Sequence, residues 1–220
     1  MGKIIIQEHT TKNPISLIGE EAGVCWGADT SNQEKNYKRG LDCLKANHGR
    51  TIEFPSVYAI IDGYSARVIR ELYTHIGGAP TRLQASTRYI NYQKGFDYIV
   101  PHSIAEDPAA ASAYETAMDV ILKQLQTLEE LNIPKEDSAM LLPLGMSTKI
   151  VCKFNPRTLI DMSHQRECAR AYWEFRELFA DWKESLSNYS DEWKTLIELT
   201  FKPKCELYEK CTETYGCGRY

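Results

Sequence analysis

Long apolar runs are missing from this 220-residue sequence, and none approaches the ~20 residues that cross a bilayer. Met1-Gly-Lys3 is followed by only three isoleucines, too short an apolar core for a secretion signal, so a cytoplasmic address is expected and no membrane partner. A surplus of positive charge is missing too. With 26 Lys and Arg against 30 Asp and Glu, the formal net charge is −4. Phosphate backbones and anionic membrane surfaces are bound through an excess of cations, so a general nucleic-acid or membrane-surface role is excluded and any anion site must be local. No Pro/Ser/Gly-rich linker divides the chain, and 43% hydrophobic content is enough for one ordinary core. A single domain over 1–220 is expected. Several common site signatures are absent as well: no G-x-G-x-x-G follows a strand, and there is no G-x-x-x-x-G-K-[ST], no H-E-x-x-H and no G-x-S-x-G. A Rossmann cofactor site and a P-loop are thereby disfavoured.

Cysteine, by contrast, is plentiful. Seven in such a chain, an odd number, read as free thiols or ligands rather than a disulfide framework. Cys205, Cys211 and Cys217 recur every six residues in the tail, 201–220, a spacing without the paired knuckles of a zinc ribbon. Packed or exposed thiols are preferred there over a structural metal with a fourth ligand from elsewhere. The five histidines, at 9, 48, 75, 102 and 164, show no metal-ligand spacing.

Periodicity divides the chain. Lys3–Ile6 reads as a short strand, and Pro14–Trp26 as a helix begun by Asn13 with proline at its first position. Asn36–Ala46 is a second helix, Val57–Ile61 a strand ended by Asp62-Gly63, and Ser65–His75 a helix turning Val68, Ile69, Leu72 and Tyr73 inward. From Pro108 to Asn132, apolar residues including Tyr114, Met118, Ile121, Leu122, Leu125 and Leu128 recur at three and four, which marks the longest core-facing helix. Glu136-Asp137 opens a short helix ahead of Leu142-Pro143. Lys149–Phe154 alternates like a half-buried strand, and Arg157–Leu186 is a long helix broken around Arg166 to Ala169.

Ala79-Pro-Thr-Arg-Leu-Gln-Ala-Ser-Thr-Arg-Tyr89 concentrates Arg82, Gln84, Ser86, Thr87 and Arg88 just after Gly77-Gly78. Guanidinium forks, hydroxyls and backbone N–H groups released by a glycine turn suit a phosphate or a uracil edge. An exposed polar loop with one capping serine is the plainer alternative.

Around that run, His48-Gly-Arg-Thr-Ile-Glu-Phe54, Leu142-Pro-Leu144, Asn155-Pro-Arg157 and Arg166 through Tyr172-Trp-Glu-Phe-Arg-Glu177 follow in an order and at spacings that resemble the flavin-dependent thymidylate synthases over most of residues 15–180. Two departures stand out. Where the family usually has Arg-His-Arg this chain has Thr74-His75-Ile76 and then two extra glycines, and an arginine common before Leu-Pro-Leu is Ala139 here.

The resemblance implies an α/β (α+β) fold with a central, mostly antiparallel sheet flanked by long helices. It implies FAD-dependent methylation of dUMP at carbon 5 with methylenetetrahydrofolate and NADPH, in a homotetramer with flavin at the subunit junctions. A methylase of UMP or a modified pyrimidine nucleotide, or a flavin- or nucleotide-binding relative without turnover, are the alternatives. By position, Arg166 matches the catalytic arginine that pairs with the uracil ring and stabilises its ionised N3. Gln84, Ala85, Ser86, Thr87 and Arg88 match the loop that grips the nucleotide, and Glu71, Leu72, Tyr73 and Thr74 the helix end that faces the base from another subunit. His48, Arg50, Thr74, His75, Ile76, Gln84, Asn155, Arg157 and Asp161 fall where the family holds FAD, with Asp161 replacing a frequent Asn. Arg82, brought near by the extra glycines, is expected to supply the charge lost at 74 and 76. No cysteine lies in a matching segment, so no thiol nucleophile is expected.

Overall fold

The computed structural model describes residues 2–220. In chain order its elements are β1 (Lys3–Ile6), α1 (Pro14–Cys25), α2 (Gln33–Lys45), β2 (Val57–Ser65), α3 (Ala66–Leu72), β3 (Thr81–Gln84) and α4 (His102–Ala105). There follow α5 (Pro108–Glu130), α6 (Lys135–Ser138), β4 (Ser147–Phe154), α7 (Pro156–Arg166), α8 (Trp173–Tyr189), α9 (Asp191–Thr200) and α10 (Lys204–Tyr208). The four strands form one antiparallel sheet in the order β1-β2-β4-β3. Two units share it by sequence: one holds Asp62–Tyr73 and Leu83–Ile150, the other Gly2–Ile61, Thr74–Arg82 and Val151–Tyr220. Among the described residues no helix is long and apolar enough to cross a membrane.

Most elements stand where periodicity puts them, and the exceptions have local causes. β2 does not end at Asp62-Gly63 but runs to Ser65. Asp62 pairs with Lys149 of β4 at 3.0 Å, and Gly63 takes φ +78° within the strand, so ladder pairing overrides the turn signal. Ser65 then accepts from Val68 N and starts α3, which stops at Leu72 rather than His75. α2 begins three residues before its expected start because Asn32 caps it, accepting from Lys35 N at 2.9 Å. The break expected around Arg166 to Ala169 is present, at residues 167–172 between α7 and α8. α5 buries only Met118 and Leu125 fully, while Tyr114, Ile121, Leu122 and Leu128 are half-buried along the same stripe.

The second unit carries the heavier core. Phe154 of β4 meets Trp182 of α8 edge-to-face at 6.0 Å, and Phe175, Phe179 and Trp193 are buried. α1 and α2 pack through two glycines. A Cβ on Gly40 would stand 1.9 Å from the Ile15 carbonyl oxygen, and one on Gly19 would stand 1.8 Å from that of Asn36. Both obstacles are backbone, so the helices must part to admit a methyl group. Gly40→Ala is therefore expected to destabilise by about 1–3 kcal/mol despite its gain in helix propensity. Urea unfolding checks this; a more stable variant would contradict the close approach.

Candidate functional site

The loop from Thr74 to Pro80 is tied to the first turn of α7. Asn155 caps that helix, its Oδ1 accepting from Thr158 N at 2.9 Å, while its amide reaches the Gly78 carbonyl at 3.4 Å. Thr158 Oγ1 donates to the Gly77 carbonyl at 2.8 Å. Gly78 has φ +70°, and a Cβ there would stand 2.4 Å from Thr158 Oγ1. Gly78 thus lets the chain lie flat on the helix end.

That anchoring delivers His75 to Arg166, the last residue of α7. Arg166 Nε donates to His75 Nε2 at 2.9 Å, and the guanidinium carbon lies 4.5 Å from the centre of the Phe175 ring. Phe175 also meets the imidazole edge-on at 5.7 Å. A neutral imidazole that accepts at Nε2 carries its proton on Nδ1. Burial, then the Arg166 and Arg82 guanidinium groups, push the His75 pKa down to about 4. Because the folded value lies below the ordinary 6.5, the unfolded chain binds the proton first, and this contribution to stability is lost as pH falls from about 6.5 through about 4. Arg82 Nη1 donates to the His75 carbonyl at 3.1 Å, which places this cation beside the degenerate part of the signature.

Two cavities open here, both within the second unit. One of about 360 Å³ is lined by Thr74, His75, Ile76, Asp161, Gln165 and Lys204, among others. The other, of about 440 Å³, has Arg166 and Arg170 in its wall together with tail residues such as Lys204 and Arg219. Arg170 Nη1 donates to the Tyr215 carbonyl at 2.7 Å, so the tail is fastened beside Arg166.

The remaining expected residues fall into two groups. At the α7 N-terminus Arg157 stands 3.5 Å and Arg50 3.3 Å from oxygens of the same Glu53 carboxylate, which leaves two guanidinium groups sharing one negative charge. His48 is exposed, and its carbonyl accepts from Thr51 Oγ1 at 2.8 Å. The nucleotide-gripping set belongs to the first unit instead. Ala85 N donates to the Lys149 carbonyl at 2.7 Å, Gln84 lies at the end of β3, and Ser86 Oγ accepts from Arg88 N at 3.2 Å. Arg88 Nε donates to Glu136 Oε2 at 2.9 Å, and Thr87 is half-buried beside it. At the end of α3 Glu71 is half-buried and Tyr73 exposed, whereas Leu72 is fully buried, which leaves only its backbone to meet a ligand. The set expected to hold FAD, Gln84 apart, gathers in one unit, then, and the set expected to grip the nucleotide, Thr74 and Arg166 apart, in the other.

A family model described as thymidylate synthase complementing protein matches residues 6–189. The chain belongs to the flavin-dependent thymidylate synthase family. Its members are FAD-dependent methyl-transferring enzymes. A flavin-dependent thymidylate synthase of Nitratidesulfovibrio vulgaris is 28% identical over 234 residues, covering 96% of this chain and 92% of that protein. One from Geobacter sulfurreducens is 27% identical, covering 80% and 78%. Among solved structures, the Helicobacter pylori enzyme with FAD and dUMP has a TM-score of 0.67 at 17% identity, over 90% of this chain and 100% of that one. A UMP/dUMP methylase from Streptomyces cacaoi bound with 5-Br dUMP has a TM-score of 0.73 at 14% identity, over 91% and 96%. These structural matches establish the shared fold.

For a flavin-dependent thymidylate synthase, the state of the thiols matters. Cys43 and Cys152 are buried, and burial raises both, the Cys152 thiol to about 12. Thiols held protonated in this way are poor nucleophiles. Cys168, Cys205, Cys211 and Cys217 line the larger cavity, but among the described residues no group of three or more His, Cys, Asp or Glu side chains is placed to hold a metal. Ser replacements at Cys25, Cys43, Cys152 and Cys168 are each expected to leave turnover within about tenfold, or ~1.4 kcal/mol. A loss of several orders of magnitude at one thiol in a folded variant would reinstate a covalent mechanism.

Three residues that the sequence reading did not single out matter to the arrangement: Phe175, Thr158 and Glu53. Phe175 lay in plain view inside Tyr172-Trp-Glu-Phe-Arg-Glu177, but nothing in the spacing says that its ring lies against a guanidinium. Thr158 and Glu53 earn their place only through a loop and a helix start that are distant in sequence.

Proposed function

We propose that this protein converts dUMP to dTMP by reductive methylation at carbon 5, with methylenetetrahydrofolate as one-carbon donor and NADPH as reductant through FAD, in a homotetramer. The observation that carries this reading is Arg166, an arginine fixed by His75 and Phe175 at a cavity wall, in the position that the family uses for the pyrimidine.

The residues present fit a flavin dinucleotide. Its pyrophosphate needs donors and net positive charge, and the start of α7 offers Asn155, Arg157 and Arg50 against the single carboxylate of Glu53, with Arg82 near the adjoining loop. Reduced flavin would supply the reducing equivalents. The protein's part is positional and electrostatic. Arg166, permanently charged, stabilises negative charge on the pyrimidine ring without giving up a proton. Ser86, Thr87 and Arg88 grip the phosphate and sugar, with Gln84 and the α3 end from Glu71 to Thr74 alongside. His48, Ile76 and Asp161 complete the cofactor contacts, Asp161 as an acceptor.

Turnover of UMP is a second reading, favoured by Ala139 in place of the family arginine and by the likeness to a UMP/dUMP methylase. The test is titration with FAD, followed by reduction and addition of dUMP or UMP with methylenetetrahydrofolate. Methylated product from dUMP is the expected result; no spectral response to FAD at micromolar protein would end the reading, and preference for UMP would establish the second. Arg82→Ala is expected to weaken flavin or nucleotide binding by about 1.5–3 kcal/mol, the range for a hydrogen bond to a charged group. Unchanged affinity by fluorescence titration would return Arg82 to a solvated loop.

A further inference from the structure

We propose that His75 is a positioning residue for Arg166: its unprotonated Nε2 accepts the Arg166 Nε–H, and with Phe175 beneath the guanidinium it sets the direction in which the Arg166 fork faces the pyrimidine. This rests on the function proposed above and adds to the cofactor-contact role that the family pattern gives His75.

Three contacts carry it. The 2.9 Å bond fixes the inner edge of the guanidinium at Nε. The Phe175 ring 4.5 Å from the guanidinium carbon restricts its tilt, and the 5.7 Å edge contact between Phe175 and His75 ties the two supports to each other. An arginine side chain has four soft torsions, so a fork held only at its stem would sample many directions. Holding Nε and the plane fixes the direction of the fork, and a fork of fixed direction is what bidentate recognition of a planar carbonyl and ring-nitrogen edge requires.

The acceptor must be an uncharged imidazole. Both charged groups that shift its titration, Arg166 and Arg82, are cations, which together with burial holds it neutral well below pH 6. A protonated His75 would turn a donor toward a donor and break the bond at Nε. The remaining Nδ1–H is a donor for another ligand group, so contact with flavin and support of Arg166 are compatible. Nothing in the signature distinguishes these roles, since the histidine is the one element of Arg-His-Arg that persists.

The decisive experiment compares His75→Phe, which fills the space without an acceptor, and His75→Gln, whose amide oxygen can accept, in the FAD-loaded protein. Thermal melts confirm folding. His75→Phe is expected to lower kcat by about 100-fold, the scale of a misdirected catalytic group, when measured at saturating FAD. His75→Gln is expected to recover at least tenfold of that loss. Equal turnover of His75→Phe and the parent would overturn the proposal, as would His75→Gln no better than His75→Phe, or recovery of the parent kcat by His75→Phe once FAD is raised to saturation. Nitrogen-15 spectra of the imidazole give a readout independent of activity: the Nδ1–H tautomer should persist from pH 8 to 5. Titration near 6.5 or an Nε2–H tautomer would overturn the positioning role even if the parent proves inactive on dUMP, whereas an inactive parent with the expected tautomer would defeat the proposed reaction and leave the His75–Arg166 pair standing.

Discussion

Arg166→Ala is expected to lower kcat/KM for the pyrimidine nucleotide by about 10²–10³-fold or more while leaving flavin bound, the cost found when a fixed donor to developing charge is removed. The separation follows from position. Arg166 closes α7, whereas Asn155 and Arg157 belong to its start, eleven and nine residues earlier. Arg166 is half-buried at the end of a helix rather than in the core, so the variant should fold. Arg166→Lys should rescue poorly, because an ammonium has neither the Nε–H that His75 accepts nor the planar fork. Steady-state kinetics with a flavin absorbance spectrum check both halves. Retention of turnover within tenfold by Arg166→Ala would remove this arginine from the chemistry.

Complementation between inactive variants is the second large effect. Arg88 belongs to the unit that holds the Ser86-Thr-Arg run and Arg166 to the other, and in the family pattern the two meet one nucleotide from different subunits. Arg88 sits at the surface in a pair with Glu136, 67% and 55% exposed, an arrangement that is weak enough to give way to a phosphate. Arg88→Ala and Arg166→Ala should each be nearly inactive. Reassembled together, they should form some sites with both arginines intact, for a recovery of about one quarter of the parent activity under random pairing across closed symmetric interfaces. Mixed oligomers that stay at the level of the separate variants would show that each site lies within one chain.

The signals that survived translation into structure are the ones that act locally. Proline at the first turn of α1, the alternation in β4 and the three-and-four stripe of α5 are local propensities, and these elements stand within a few residues of their expected bounds. Tertiary pairing supplied what local signals lack. β3 hides inside a polar run, Thr81-Arg-Leu-Gln84, that reads as a loop and becomes an edge strand through β4. β2 ignores its Asp-Gly turn signal for the same reason. The family was legible because motif order persists where single residues change; the His75–Arg166–Phe175 arrangement was not, since it joins three segments whose spacing carries no periodic trace.

Burial of Cys43 and Cys152 makes the chain its own reporter of opening. The Cys152 thiol lies 3.5 Å from the Ala59 carbonyl, inside the β2–β4 ladder, and Cys43 lies on the α2 face that is shielded from water. A thiol reagent applied to the native protein meets the other five cysteines first. The sixth and seventh become available only when the sheet opens or the buried face of α2 is uncovered, so their labelling rates, followed by mass, time those openings separately without any introduced probe.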